Sequence, residues 1–194
     1  MVAEQLKNLT SVAIVSALLF CSLPTIATAQ DRAPSVSIKN SQTTRVLADG
    51  DYFPALIKLL DRSDSSIDLA MFVFKIGKRK TSRPAKIRDA LIRAAKKGVK
   101  VRVYLERSGY DDKLNKSNRE VADQLTAEGV KVIFESPKTT THNKMVVIDR
   151  RYALVGSHNF TQSALKYNHE LSLLVDDPEL AEKLVSYMEN SIQP

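Results

Sequence analysis

The tetrapeptide Gly-Val-Lys-Val occurs at residues 98–101 and again at 129–132. Each copy closes a stretch with helical period and opens one that alternates. Before the first copy, Ile87, Leu91, Ala94 and Ala95 share one helical face, and Pro84 stands where a helix begins. Before the second, Val121, Ala122 and Leu125 repeat that spacing. "VKVRVYLE" (99–106) and "VKVIFES" (130–136) then read as strands, with a glycine ending each preceding helix. Two successive helix-to-strand units restrict the chain to an α/β architecture, in which a sheet hides its apolar faces under helices.

The other segments extend this pattern. Thr43–Leu47 reads as a short strand before a turn at Ala48-Asp49-Gly50-Asp51, and Phe53, Leu56, Ile57 and Leu60 recur at helical spacing. "SIDLAMFVF" (66–74) is almost continuously apolar, as a strand covered on both faces requires. "MVVID" (145–149), "YALVG" (152–156) and "ELSLLV" (170–175) have short links, which favour antiparallel pairing. Asp177-Pro178 opens a last helix along which Leu180, Leu184 and Tyr187 align. The expectation is a single α/β domain with a mixed β-sheet flanked by helices on both faces. A chain of 194 residues, 43% hydrophobic, suits one such core and leaves little room for a second.

The first 29 residues read as an export signal outside that domain. Lys7 precedes an apolar stretch, Pro24 follows it, and Ala27-Thr28-Ala29 supplies the small residues of a cleavage site. The uninterrupted run Val12–Phe20 is shorter than the roughly 20 residues that span a bilayer. The expected mature domain is 30–194, periplasmic or secreted, with no stable membrane anchor. Cys21 is the sole cysteine and falls within the signal, so the domain has no disulfide, no thiol nucleophile and no thiolate metal site.

Charge points to the partner. Lysine and arginine number 29 against 22 acids, a net of +7, and the signal contributes nothing because Lys7 offsets Glu4. Between Lys75 and Arg102 stand twelve basic residues and one acid, Asp89, with Lys78, Arg79 and Lys80 in the loop after strand 66–74. Such a track attracts a polyanion, either nucleic acid or an anionic membrane surface.

Chemistry concentrates in "THNKMVVIDRRYALVGSHNF" (141–160). In an extended segment His142 and Lys144 point one way and Asn143 the other, and Ser157 and Asn159 form a second such pair. If the strands 145–149 and 152–156 lie side by side, an imidazole, an ammonium, a hydroxyl and an amide converge beyond the sheet. Lys144, Ser157 and Asn159 can hold the oxygens of a phosphodiester, and His142 can attack phosphorus or move a proton. A carboxylate must orient the ring, and Asp149 and Glu170 are both candidates.

His142-x-Lys144-x4-Asp149 followed by Gly156-Ser157-x-Asn159 resembles the HKD signature of the phospholipase D superfamily. "FPALIKLLDRSDSSIDLAMFVF" (53–74) resembles that family's first helix and strand, and Asn168-x-Glu170 its downstream Asn-x-Glu. The resemblance implies a phospholipase D-like fold and an endonuclease or phosphodiesterase that works through a phosphohistidine, with no metal and no cofactor. It implies His142 as nucleophile and as general acid, Lys144 and Asn159 as phosphate ligands, Ser157 lining the site, and Glu170 orienting the histidine. Asp149 is a motif residue whose role is expected to be structural.

Members of this size with one copy resemble the small bacterial and Zucchini-type nucleases, which implies a homodimer with a shared active site. The basic track, with Lys78, Arg79 and Lys80, then becomes a path for DNA or RNA. A lipid phosphodiesterase acting on phospholipid or cardiolipin is the alternative, although the domain shows no clear amphipathic membrane helix. A non-catalytic nucleic-acid binder is the third reading, and it has no need of His142. The three histidines match no known metal-ligand spacing, and Lys144 would repel a cation.

Overall fold

The structure is a computed structural model that describes residues 43–77, 79 and 81–194. Residues 1–29, read above as an export signal, lie outside the described residues, as do Lys78 and Lys80.

One seven-stranded sheet organises the described chain. Its strands are β1 (Thr43–Ala48), β2 (Ser66–Met71), β3 (Lys100–Leu105), β4 (Lys131–Phe134), β5 (Lys144–Ile148), β6 (Tyr152–Gly156) and β7 (Leu171–Asp176), in the order β1-β7-β6-β5-β2-β3-β4. The helices are α1 (Tyr52–Asp61), α2 (Arg83–Lys96), α3 (Asp112–Thr126) and α4 (Pro178–Ser191). β2, β3 and β4 pair in parallel because α2 and α3 carry the chain back between them. The short links β5–β6 and β6–β7 give antiparallel pairs, so the sheet is mixed.

Helices cover both faces unequally. Ile67, Leu69, Met71, Val101, Val103, Leu105, Val146 and Ile148 join the core beneath α1, α2 and α3. The alternate residues Ala70, Tyr104, Met145 and Val147 face α4, which packs Ala181, Val185 and Met188 on them. Burying each large aliphatic side chain contributes about 1.5–3 kcal/mol, so the three-helix side dominates the core. Gly98 and Gly129 end α2 and α3 with φ of 92° and 84°, a conformation that side chains with a Cβ disfavour.

Two expectations change on contact with the tertiary structure. α4 does not pack through Leu180, Leu184 and Tyr187: its buried residues are one position further on, with Leu184 only partly packed. The small Ala181 suits close approach to the sheet, while Tyr187 stays outward and its hydroxyl accepts from Asn143 Nδ2 at 3.3 Å. β2 is also shorter than 66–74. After Met71 the chain leaves the ladder, and the fully buried Asn118 of α3 takes over part of its hydrogen bonding. Its amide accepts from Phe74 N–H and donates to Phe72 and Glu106 carbonyls, each at 2.9 Å.

Polar residues inside strands are paired. Asp68 and Arg102 stand opposite each other on β2 and β3, and Arg102 also reaches Glu189 of α4. Burial alone would lower the Arg102 pKa, but the hydrogen bonds to Asp68 and Glu189 outweigh it and raise the pKa. A buried pair of this kind fixes position more than it stabilises.

Candidate active site

Antiparallel pairing brings the start of β5, the end of β6 and the start of β7 to one edge of the sheet. The registers Met145↔Val155 and Gly156↔Ser172 set them side by side, and Ala48↔Leu171 adds the end of β1. His142 and Lys144 therefore meet Ser157, Asn159, Asn168 and Glu170 at the same end.

Phe72, where β2 leaves the ladder, forms the floor. The His142 ring meets its edge, with centroids 4.5 Å apart, and Lys144 Nζ stands 4.9 Å from the centre of the same ring. The two side chains thus share a side, while Asn143 turns to Thr141 Oγ1 and Tyr187. Lys144 is almost fully buried and donates to the His142 carbonyl at 2.8 Å. His142 itself is exposed.

Ser157 donates to Glu170 and accepts from Leu171 N–H at 3.1 Å, while Asn168 Nδ2 donates to Glu170 Oε1 at 3.1 Å. Within one chain, then, the Glu170 carboxylate is held by Ser157 and Asn168. Its charge also favours the Lys144 ammonium, although burial is the stronger influence and lowers the Lys144 pKa. Asn159 presents a buried Oδ1 with no protein partner among the described residues. Polar atoms of this kind are rarely left unpaired in a native interior, so an incoming group is a natural partner.

His142 has the ionisation a nucleophile needs. Partial burial and, after it, the Lys144 ammonium hold the imidazole below the ordinary histidine pKa of about 6.5. Both effects favour the unprotonated ring. Removing the ammonium in Lys144→Met is expected to move the His142 titration to higher pH, because a cation is costlier beside another cation. An NMR titration of the three histidine rings reads this directly. A midpoint that stays still or falls would exclude Lys144 from the electrostatics of the ring.

Asp149 lies at the other end. Five residues at about 3.3 Å each place it roughly 16 Å from Lys144 along β5. There it has φ +54° and accepts from the N–H groups of Asp64, Ser65 and Ser66 at 2.8–3.2 Å and from the Ser65 hydroxyl at 3.0 Å. Burial raises its pKa, and these donors overturn that effect, leaving the carboxyl below the ordinary aspartate value. A depressed pKa stabilises the fold above the unfolded value, near 3.9, and the benefit fades as pH falls through the folded one.

Asp149→Ala is expected to cost about 2 kcal/mol at pH 7, a single charged hydrogen bond's worth because the site is partly solvated. Denaturant unfolding should show the loss shrinking below pH 4, with turnover per folded molecule unchanged. A turnover defect without a stability defect would return Asp149 to the chemistry.

Several supporting residues had no sequence signal beyond local turn chemistry. Asp49, with φ +48°, accepts from Glu170 N–H at 2.8 Å and approaches His169 at 3.1 Å, while its own N–H donates to the Glu170 carbonyl. His158 is fully buried, stacked on Tyr52, and bonded to Ser172 Oγ at 2.8 Å and the Asp49 carbonyl at 3.1 Å. It ties β6 to the turn after β1. Glu106 accepts from Thr141 N–H at 2.6 Å and so anchors the residue before His142. Burial and the nearby Glu135 keep Glu106 above the ordinary glutamate pKa in spite of that bond.

The site and fold have relatives. The model of the family described as "Cardiolipin synthase, PLD-like domain" matches residues 56–192, which include all the site residues from His142 to Glu170. A phospholipase D of Rickettsia felis is 34% identical over 131 residues, which are 68% of this chain and 58% of that protein. A polyphosphate kinase of Yersinia pestis is 30% identical over 152 residues, 73% of this chain and 22% of that one. The chain thus spans little more than half of the first relative and less than a quarter of the second.

Among solved structures, Nuc from Salmonella typhimurium has a TM-score of 0.65 at 21% identity, covering 77% of this chain and 93% of that one. NucT from Helicobacter pylori has a TM-score of 0.59 at 22% identity, covering 76% and 94%. These likenesses speak for the fold. Together with the family match through the whole site, they identify the chain: it belongs to the phospholipase D superfamily.

Proposed function

We propose that this chain is a phosphodiesterase that cleaves nucleic acid through a phosphohistidine, in a homodimer that shares one site. The observation that carries the reading is the meeting of exposed His142, buried Lys144 and Asn159 at one sheet edge, where the Asn159 amide nitrogen is a donor suited to a phosphate oxygen.

In the proposed reaction an imidazole nitrogen of His142 attacks phosphorus, and the bond from phosphorus to the leaving oxygen breaks. His142 of the partner subunit, in its imidazolium form, gives that oxygen its proton and becomes neutral. Water then attacks phosphorus, its proton returns to the partner's His142, and the phosphorus–nitrogen bond breaks to free the first ring. Lys144 and the Asn159 amide group stabilise charge on the non-bridging oxygens. No step requires a metal.

A second copy has a surface to bind. Val46, Leu173 and Val155 form one row across β1, β7 and β6 on the face that α4 leaves open, and they are 61%, 38% and 39% exposed. Leu171, 56% exposed, continues the row's face toward the site. Apolar residues grouped in this way favour a protein contact. The N-terminal segment 1–29 supports export of the mature domain.

The names of the family model and of the Rickettsia relative favour lipid as a second substrate class. The test is hydrolysis of single- and double-stranded DNA, RNA, and phosphatidylcholine or cardiolipin vesicles by residues 30–194 in EDTA, with the mass measured by sedimentation. Nucleic acid cleavage by a dimer is expected. Turnover confined to vesicles would put lipid in its place, and activity lost to the chelator would overturn the proposed chemistry.

A further inference from the structure

Beside the site lies a cleft of about 510 Å³, lined by Gly77, Arg79, Thr81, Ser82, Gln162, Lys166 and Tyr167. We infer that it is a subsite for a single nucleic-acid strand, in which Tyr167 stacks a base while Arg79 and Lys166 hold the adjoining phosphate. The inference rests on the nuclease reading and adds a binding position and a strand preference to it.

Position is the first argument. The segment 160–167 leaves the site at Asn159 and returns to it at Asn168, whose amide holds Glu170. Tyr167 is therefore the immediate neighbour of a residue that supports the site. The opposite wall begins at Phe74, which is bridged to Phe160, the neighbour of Asn159. A strand with its phosphate at His142 meets this cleft as the next open ground.

Chemistry is the second. Among the described residues no acidic side chain lines the cleft, and neither Arg79 nor Lys166 has an acidic partner. The N-terminus of α2 opens here, but its amides are engaged: Arg83 N–H donates to Gln162 Oε1 at 2.9 Å, and Ala85 N–H to Ser82 Oγ at 3.4 Å. A phosphate must therefore be held by side chains.

Rigidity is the third. Tyr167 is 69% exposed, yet its backbone is fixed. Its N–H donates to the Ser163 carbonyl at 2.8 Å, the preceding Ala164 and Leu165 are buried, and Arg83 of α2 donates to the Leu165 carbonyl. The Lys166 ammonium lies 4.9 Å from the centre of the Tyr167 ring. An aromatic ring held out on an ordered turn beside unpaired cations suits base stacking next to a phosphate. Only an unpaired base offers it a free face, which is why the preference is for single strands.

The experiment measures cleavage and, by fluorescence anisotropy in EDTA, binding of a short labelled oligothymidylate and its duplex form. It compares wild type with Tyr167→Ala, Tyr167→Phe and Lys166→Ala, using bis(p-nitrophenyl) phosphate as a diester too small to reach the cleft. Tyr167→Ala should weaken single-strand binding about 10- to 100-fold and lower the preference for oligonucleotide over small diester to match. Tyr167→Phe should keep both, and Lys166→Ala should reduce the salt slope of binding by about one.

Unchanged single-strand binding in Tyr167→Ala, with wild type still cleaving oligonucleotide, would sink the subsite alone. Equal loss on strand and duplex would remove the stacking argument. A wild type that turns over the small diester but neither binds nor cleaves nucleic acid would sink the nuclease reading and the subsite with it. So would a Tyr167→Ala defect found only on cardiolipin vesicles, which would make the cleft a lipid-surface contact.

Discussion

His142→Ala is expected to lower phosphodiester turnover roughly 10⁴-fold or more while leaving the unfolding midpoint unchanged. The two outcomes separate because the side chain is exposed and its ring meets Phe72 edge-on, so little packing is lost. On the proposed mechanism the nucleophile and the acid disappear together, since each subunit's histidine serves in one role or the other. Lys144 and Asn159 would still hold a phosphate, so the defect should appear in kcat more than in KM.

The proposed shared site predicts a quantitative signature. If one site needs both histidines of a dimer, a mixed dimer with one His142→Ala chain is dead. After unfolding and refolding an equal mixture, activity should be about a quarter of the wild-type value. A value near half would mean that each chain works alone and would refute the composite site.

Gly156→Ala is the second large effect, and here stability and activity fall together. A Cβ on Gly156 would lie 2.2 Å from Ser172 Oγ, 2.4 Å from the Leu171 carbonyl oxygen and 2.4 Å from Ser172 Cα. Two of these atoms are backbone of β7, and the third is tied to His158 at 2.8 Å, so none can swing away cheaply. Relief requires β6 and β7 to part where Ser157 N–H donates to the Leu171 carbonyl at 3.0 Å and Ser157 Oγ holds Glu170.

Overpacking in a close-set region costs about 1–3 kcal/mol, and a backbone clash belongs at or beyond the upper end. The expected result is about 3 kcal/mol or more lost in denaturant unfolding, with turnover of the surviving folded protein reduced as well. A variant of wild-type stability would show that the strands separate easily, and the glycine of the motif would lose its steric explanation.

Much of the fold was legible because periodicity is a local property. Helical and alternating spacings in α1 to α3 and β3 to β7 depend on residues a few positions apart, and the Gly-Val-Lys-Val copies marked where each helix yields to a strand. The HKD positions were legible for the same reason: His142 with Lys144, and Ser157 with Asn159, are pairs two residues apart on extended chain. The α4 face was not legible because its apolar residues come in three adjacent pairs, Leu180-Ala181, Leu184-Val185 and Tyr187-Met188, which offer more than one stripe. Only the sheet chose between them, through the space above Ala70 and Met145.

The sequence by itself thus determined the element types, the mixed sheet and the reactive groups. The tertiary structure alone decided their company. Asp49 with Glu170, 121 residues apart, and Asp149 with Asp64, 85 apart, meet only because strand order and register place them together. The same register sends Asp149 to the end of β5 opposite His142, although the motif lists them side by side. Short-range spacing fixes which way a side chain points, and long-range pairing fixes what it finds there, because contact between distant residues depends on the whole topology that folding selects.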